Sequence, residues 1–168
     1  LNSQQWFLSK YAKEIDWDYV SANSQYLAVA DKQKFNECLQ KFKDYINLPV
    51  LASRDDIDTE QLIKIFPNTE YDYNKLMMLG KWNATEESIL KLSGYPWDWE
   101  LVSQCSTFKP SEKFLMDNLD KPFDWWTLSS NELEAWRSTR LITQIVGLPH
   151  IKEAIDWSEV SSKNQFPL

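Results

Sequence analysis

An aspartate followed by an aromatic residue, with an aliphatic residue three positions further on, recurs along this chain. The six copies are Asp16-Trp17 with Val20, Asp44-Tyr45 with Leu48, Asp72-Tyr73 with Leu76, Asp98-Trp99 with Val102, Asp124-Trp125 with Leu128, and Asp156-Trp157 with Val160. They follow one another at intervals of 28, 28, 26, 26 and 32 residues. A period in this range indicates a stacked structural repeat, so these positions are interpreted together.

Each copy predicts the start of a short α-helix, which we call an A helix. The aspartate accepts hydrogen bonds from the unpaired amides of the first turn, and its charge favours the positive end of the helix dipole. The residue before it is apolar in every copy except the second, which has Lys43, and the residue four positions after it is always Val or Leu. These two residues can pack across the first turn. Ser follows in four copies and Asn lies close behind in three, which predicts a helix of about two turns.

A second helical pattern lies between the copies and predicts B helices of about three turns. Polar cap residues precede this pattern in four units: Asp31, Asp58, Thr85 and Ser111. In the longer fifth unit the apolar residues of 141–146 form the pattern, ahead of Gly147. Gly80 and Gly94 stand where helices are expected to end.

The pattern predicts an all-α fold, because no segment has the alternation typical of strands. Neither helix of a unit can bury its apolar stripe alone, whereas stacked neighbours bury them together. We therefore predict an α-solenoid of five to six helix-turn-helix units, 26–32 residues each, in a single domain over 1–168. The chain opens with a B-type segment around Trp6, Phe7 and Tyr11 and closes on an A helix, which predicts an excerpt from a longer array or a larger protein.

Written as DWxxLSxN, the motif of 124–131 (DWWTLSSN) and 16–23 (DWDYVSAN) resembles a tryptophan-rich helical repeat found in giant-virus proteins and in some bacterial multidomain proteins. In that family a tryptophan often precedes the second helix, and Trp136 ahead of Ser138 is similar. The resemblance covers the chain through its period. It implies a repeat scaffold attached to other domains and brings no catalytic residue. Tetratricopeptide and pentatricopeptide arrays are an alternative, although their units are longer and their marker residues are absent.

Composition narrows the classes of partner. Eighteen Lys and Arg against 25 Asp and Glu give a net charge of −7, which argues against nonspecific binding to nucleic acid or anionic membranes. Apolar runs are only a few residues long, so no membrane span is predicted. Cys38 and Cys105 lack metal-ligand spacing, which favours a reduced, intracellular protein, cytoplasmic or virus-associated, although a disulfide between them stays open.

Candidate chemistry is sparse, and we predict no catalytic residue, metal site or cofactor. The acidic segment 54–60 (RDDIDTE) lacks the glycine and the distal glutamate of a calcium loop, so Asp58 is interpreted as a helix cap. His150 is the only histidine, and no nucleophile can be assigned to it. Three glycines cannot build a phosphate-binding loop.

The tryptophans separate into two groups. Trp17, Trp99, Trp125 and Trp157, with Tyr45 and Tyr73, share one motif position and are predicted to wedge between helices. Trp126 occupies a position that is mostly polar in the other copies, so it is predicted to lie on the surface. An exposed tryptophan is typical of a binding hot spot, and local packing is the alternative interpretation.

The sequence therefore predicts a non-catalytic scaffold that binds protein or peptide partners, with basic partners favoured by the acidic surface. Two alternatives stay open. One is a module that binds single-stranded nucleic acid, which needs a basic concave face. The other is a regulatory domain attached to an enzyme domain outside this chain.

Overall fold

The computed structural model describes residues 3–23, 27 and 31–163, with side chains from residue 7 onward, so the side chain of Trp6 lies outside the described part. The regular structure of these residues is helical and includes no strand, which confirms the all-α prediction. The chain divides into two compact units, Leu1–Trp82 and Asn83–Leu168. Each unit is described by itself.

Unit 1 contains six of the α-helices. They are α1 (Ser3–Lys10), α2 (Trp17–Ala22), α3 (Lys32–Phe42), α4 (Leu48–Ala52), α5 (Thr59–Ile65) and α6 (Tyr73–Met78). Helices α2, α4 and α6 are A helices, and α3 and α5 are B helices. Helix α4 packs against both α2 and α5.

The described residues of unit 2 form seven α-helices and a 3₁₀ helix. They are α7 (Glu86–Lys91), α8 (Trp99–Gln104), α9 (Glu112–Asp117), α10 (Trp125–Ser130), the 3₁₀ helix (Glu134–Arg137), α11 (Thr139–Val146), α12 (Pro149–Lys152) and α13 (Trp157–Lys163). The A helices α8, α10 and α13 pack side by side, with α10 in the middle, and the B helix α9 packs against α11.

Side-chain caps begin almost all of these helices. For α2 the Asp16 carboxylate accepts the N–H of Tyr19 at 3.0 Å, and equivalent bonds begin the other A helices. Their cap residues are Asn47, Asp72, Asp98, Asp124 and Asp156. The B helices are capped by Asp31, Asp58, Thr85, Ser111 and Ser138. These caps satisfy amides that a helix leaves unpaired at its start.

The predicted helix start at Asp44 is wrong. Helix α3 runs on to Phe42, whose carbonyl accepts the N–H groups of Tyr45 and Ile46, so residues 43–46 form the turn that ends α3. The next A helix begins three residues later, where Asn47 accepts the N–H of Val50 at 3.1 Å. Tyr45 is 41% exposed, and its ring stacks on that of Trp17 with centroids 5.3 Å apart.

The corrected start explains the packing better than the predicted one. With Asn47 as the cap, the preceding residue is the buried Ile46 instead of Lys43, so an apolar residue precedes the cap in all six copies. The residue four positions after the cap becomes Leu51, which is buried like its equivalents. Those equivalents are Val20, Leu76, Val102, Leu128 and Val160. Burial of this pair, in which only Ile15 is half-buried, fixes how each A helix meets the core.

The B helices are shorter than predicted, since only α3 reaches three turns. Helix α5 ends at Ile65, two residues before Pro67, which disfavours helical geometry in the residue that precedes it. Helix α6 ends where Gly80 adopts φ +65°, a conformation that favours glycine. The 3₁₀ helix and α12 were not predicted, and they account for the extra length of the fifth unit. Pro149 at the first turn of α12 is the one sequence signal for that helix.

Candidate partner-binding surface

Three serines of the repeat motif are completely buried. Ser21, Ser103 and Ser129 occupy the position five residues after the cap in α2, α8 and α10. Each hydroxyl donates a hydrogen bond to a carbonyl of its own helix, at 2.6–2.7 Å. Because buried polar groups are normally hydrogen-bonded, the burial of these three hydroxyls needs an explanation.

The explanation is a hydrogen bond to the next A helix. The N–H of Asn47 donates to Ser21 Oγ at 2.9 Å, and the N–H of Asp124 donates to Ser103 Oγ at 3.1 Å. The N–H of Asp156 likewise donates to Ser129 Oγ at 3.0 Å. The donor is always the backbone of the following cap residue. We call this contact between consecutive A helices a joint.

Cations strengthen two of these joints. Arg54 Nη1 donates to the carbonyl of Ser21 at 3.0 Å. Lys163 Nζ donates to the carbonyls of Ser129 and Asn131 at 2.6 and 3.0 Å. Each cation follows its own cap residue by seven positions, and its side chain is almost fully buried. A cation is favourable here because carbonyls at the end of a helix carry partial negative charge.

The joints fix which side of α2, α8 and α10 faces solvent. In these helices the residues four and five positions after the cap face inward, and in all six A helices the residues two, three and six positions after the cap are exposed or half-buried. In unit 2 these outward residues are Glu100, Leu101 and Gln104 on α8, Trp126, Thr127 and Ser130 on α10, and Ser158, Glu159 and Ser162 on α13. We call this set the A face.

Trp126 is the one aromatic residue of the A face. Its side chain is 59% exposed, which confirms the predicted surface location, and it lies on the middle helix of the three. Its carbonyl accepts the hydroxyl of Ser129, so its backbone is held by the same residue that forms the joint to α13. The indole is therefore presented by a well-anchored helix, as a binding hot spot requires.

The other motif aromatics serve packing to different degrees. Trp17, Tyr73 and Trp125 are buried, whereas Trp99 and Trp157 are half-buried. The indole N–H groups of Trp17 and Trp157 each donate to a carbonyl five residues earlier, at 2.7 and 2.8 Å. This bond ties the start of an A helix to the turn before it. Trp136, next to α11, is completely buried and donates to the carbonyl of Leu128 at 2.8 Å.

The acidic segment 54–60 also has a structural explanation. Asp56 accepts two hydrogen bonds from Arg54, at 2.9 and 2.6 Å, and this partner lowers the pKa of the Asp56 carboxyl. Asp58 caps α5 by accepting the N–H of Gln61 at 3.0 Å. Within the described ranges, no group of three or more His, Cys, Asp or Glu side chains could hold a metal ion.

The remaining candidate groups are dispersed. His150 is exposed on α12. Cys38 and Cys105 are buried and form no disulfide, and burial raises the pKa of the Cys105 thiol. No helix in the described part of the chain is both long and apolar enough to cross a membrane.

Each unit also has a groove beside its B helices. The groove of unit 1, about 340 Å³, lies between Phe35 and Leu39 of α3 and Leu62 of α5. The groove of unit 2, about 360 Å³, is lined by aromatic side chains that include Trp97 and Trp99. Both volumes are at the low end for ligand sites. No histidine or cysteine lies among the described residues that line them, so we assign no reaction to either groove.

Sequence reasoning found Trp126 but not the bonds that position it. It assigned the motif serine to ending the helix, whereas the buried hydroxyl holds the next helix. The signal available was the recurrence of serine at a position that the helical pattern places inward. No protein-family model, curated protein or solved structure matches this chain.

Proposed function

We propose that this protein is a non-catalytic helical-repeat scaffold, an α-solenoid, that binds a protein or peptide partner as a module of a larger protein. The repeated joint supports the solenoid, because the same bonds link α2 to α4, α8 to α10 and α10 to α13, and such bonds can extend an array by addition of units. The buried thiols of Cys38 and Cys105, which form no disulfide, support a reducing, intracellular setting.

The observation that carries the proposed binding function is the exposure of Trp126. Burying an indole ring against a partner removes a large apolar area from water, and truncation of a hot-spot residue costs about 2 kcal/mol or more. The neighbouring outward residues on α10, Thr127 and Ser130, are small. A partner can therefore reach the face of the ring.

Selection from a random peptide library displayed on phage tests the proposal. We expect peptides that bind the wild-type protein and lose at least about tenfold in affinity for Trp126→Ala. The matched control is Leu90→Ala, because Leu90 on α7 is also 59% exposed in the same unit. Circular dichroism should show unchanged helicity for both variants.

The Leu90→Ala control distinguishes binding at the A face from nonspecific binding to any exposed apolar side chain. Peptides that bind wild type and Leu90→Ala alike but fail on Trp126→Ala support the A face as the binding surface. If every selected peptide binds Trp126→Ala as tightly as wild type, the A face is not the partner surface and the proposal is wrong.

A further inference from the structure

The charges of the A face are of one sign. Among its nine residues, Glu100 on α8 and Glu159 on α13 are acidic, and none is Lys or Arg. Trp126 lies on the helix between them, since α10 packs against both α8 and α13. An exposed indole is therefore flanked on each side by a helix that carries a carboxylate.

These groups lie at similar positions along three neighbouring helices. Glu100 and Trp126 both follow their cap residues by two positions, and Glu159 follows its cap by three. Neighbouring packed helices have axes about 8–10 Å apart. Flexible glutamate side chains can span part of that distance, so both carboxylates can approach a group that rests on the indole.

The two carboxylates differ in their ion pairs. Lys113 pairs with Asp117, and Arg137 pairs with Glu134. Glu100 forms no ion pair within the described residues. Glu159 forms a long ion pair with Lys163, whose Nζ lies 3.9 Å from the carboxylate and also donates to two carbonyls at 2.6 and 3.0 Å, so Glu100 is the carboxylate without an ion pair among the described residues.

We propose that the A face binds an arginine side chain of a protein partner, stacked on Trp126 between Glu100 and Glu159. This inference rests on the proposed function and adds the chemistry of the partner. A guanidinium is planar and stacks on an aromatic face, and its donors suit carboxylates at its edges. Lysine has a compact charge that stacks less well, and phosphate groups are repelled by the two carboxylates.

The test uses a Gly-Ser peptide with two arginines and an otherwise identical peptide with citrulline, the neutral isostere. Binding is followed by the indole N–H resonance of Trp126 in NMR spectra, assigned by its loss in Trp126→Phe. We expect the arginine peptide to shift this resonance in a salt-sensitive manner, and citrulline to weaken binding at least about fivefold.

The acidic residues are tested with charge-matched variants. Glu100→Gln/Glu159→Gln is expected to weaken binding of the arginine peptide about fivefold, since exposed ion pairs contribute modestly. The control is Glu87→Gln/Glu112→Gln, which makes the same charge change on α7 and α9, outside the A face. This control should leave the affinity unchanged.

The outcomes distinguish this inference from the proposed function. Failure of the arginine peptide to bind overturns the arginine inference. Equal binding of the citrulline peptide, or of an otherwise identical peptide with lysine in place of arginine, also overturns it. A single-stranded oligonucleotide that shifts the Trp126 resonance more strongly than the arginine peptide overturns it too. In all these cases library peptides that depend on Trp126 would still support the proposed function. If no library peptide depends on Trp126, both fail together.

Discussion

The joint between α2 and α4 in unit 1 and the joint between α10 and α13 in unit 2 bind the same backbone groups with different side chains. In both, a buried serine hydroxyl accepts a hydrogen bond from the N–H of the next cap residue. The carbonyl of that serine accepts a hydrogen bond from a cationic side chain. The cap is Asn47 in unit 1 and Asp156 in unit 2, and the cations are Arg54 and Lys163. The two joints therefore share the bonded backbone groups, whereas the cap side chain differs between them.

The cations differ in how they are held. Arg54 is fixed by two hydrogen bonds to Asp56 and gives one to the preceding helix. Lys163 gives both of its hydrogen bonds to carbonyls, those of Ser129 and Asn131. This difference follows from side-chain chemistry, because a guanidinium has a rigid set of donors and an ammonium is a compact point charge.

Loss of the unit 1 cation should have the largest effect on stability. Arg54→Met keeps most of the apolar stem but removes a charge-assisted hydrogen bond from a nearly buried site, so we expect a loss of about 1.5–3 kcal/mol. Urea unfolding followed by circular dichroism measures the loss. Alkylation of Cys38 in unit 1, compared with Cys105 in unit 2, shows which unit opens.

The control for this prediction is Arg137→Met. The exposed side chain of Arg137 is 3.3 Å from the Glu134 carboxylate, its one ion-pair partner among the described residues. Arg137→Met should therefore lower the free energy of unfolding by no more than about 0.5 kcal/mol. In Arg54→Met the pKa of Asp56 should also rise toward its ordinary value, which an NMR titration detects. An effect of Arg54→Met no larger than that of Arg137→Met contradicts a stabilising role for the joint.

Loss of a joint serine should have a somewhat smaller effect. Ser129→Ala leaves the N–H of Asp156 without its acceptor at a partly buried joint, so we expect about 1–2 kcal/mol of destabilisation. Faster alkylation of Cys105 than of Cys38 should accompany it. Ser130→Ala is the matched control, because that hydroxyl is exposed and bonds only within its own helix. Equal stability of the two variants would show that the joint bond contributes nothing.

The sequence predicts the helices well because their signals are local. A cap residue and an apolar pair across one turn lie within six positions, and this pattern found five of the six A helices at their observed starts. The joints could not be predicted, because each connects residues 21–27 positions apart whose proximity depends on the packing of two helices. The outward direction of Trp126 could be predicted from the sequence, because it follows from comparing one position across the copies. The location of Glu100 and Glu159 on the helices beside Trp126 could not be predicted, because it depends on which helices pack together.

The register error at Asp44 has a physical cause. Asp44 and Tyr45 reproduce the motif letters, but α3 continues long enough to use residues 43–46 as its closing turn. Lys43 before the predicted cap was the available warning, because it cannot supply the apolar contact that precedes every other cap. The buried Ile46 supplies that contact three residues later.

The smallest predicted effect distinguishes a helix that begins at Asn47 from one that begins at Asp44. Asn47→Ala should cost about 1 kcal/mol through loss of the cap, whereas Asp44→Ala, at an exposed position without a capping bond, should stay within about 0.5 kcal/mol. Urea unfolding of the two variants provides the comparison. If Asp44→Ala proves the more destabilising, the helix begins where the motif letters place it and the joint to Ser21 is misassigned.

Asn47→Asp tests why this joint departs from the aspartate of the other copies. The amide of Asn47 donates to the Asp18 carboxylate at 2.7 Å, so an aspartate here would keep the cap but place two carboxylates together. We expect destabilisation at neutral pH, where both carboxylates are charged, and recovery in Asn47→Asp/Asp18→Asn, where the amide and carboxylate exchange places. Full stability of Asn47→Asp alone would show that the Asp18 contact does not select asparagine. Recovery in the double variant would show instead that one neighbouring side chain, that of Asp18, selects asparagine at this cap. The repeat motif by itself does not include that side chain.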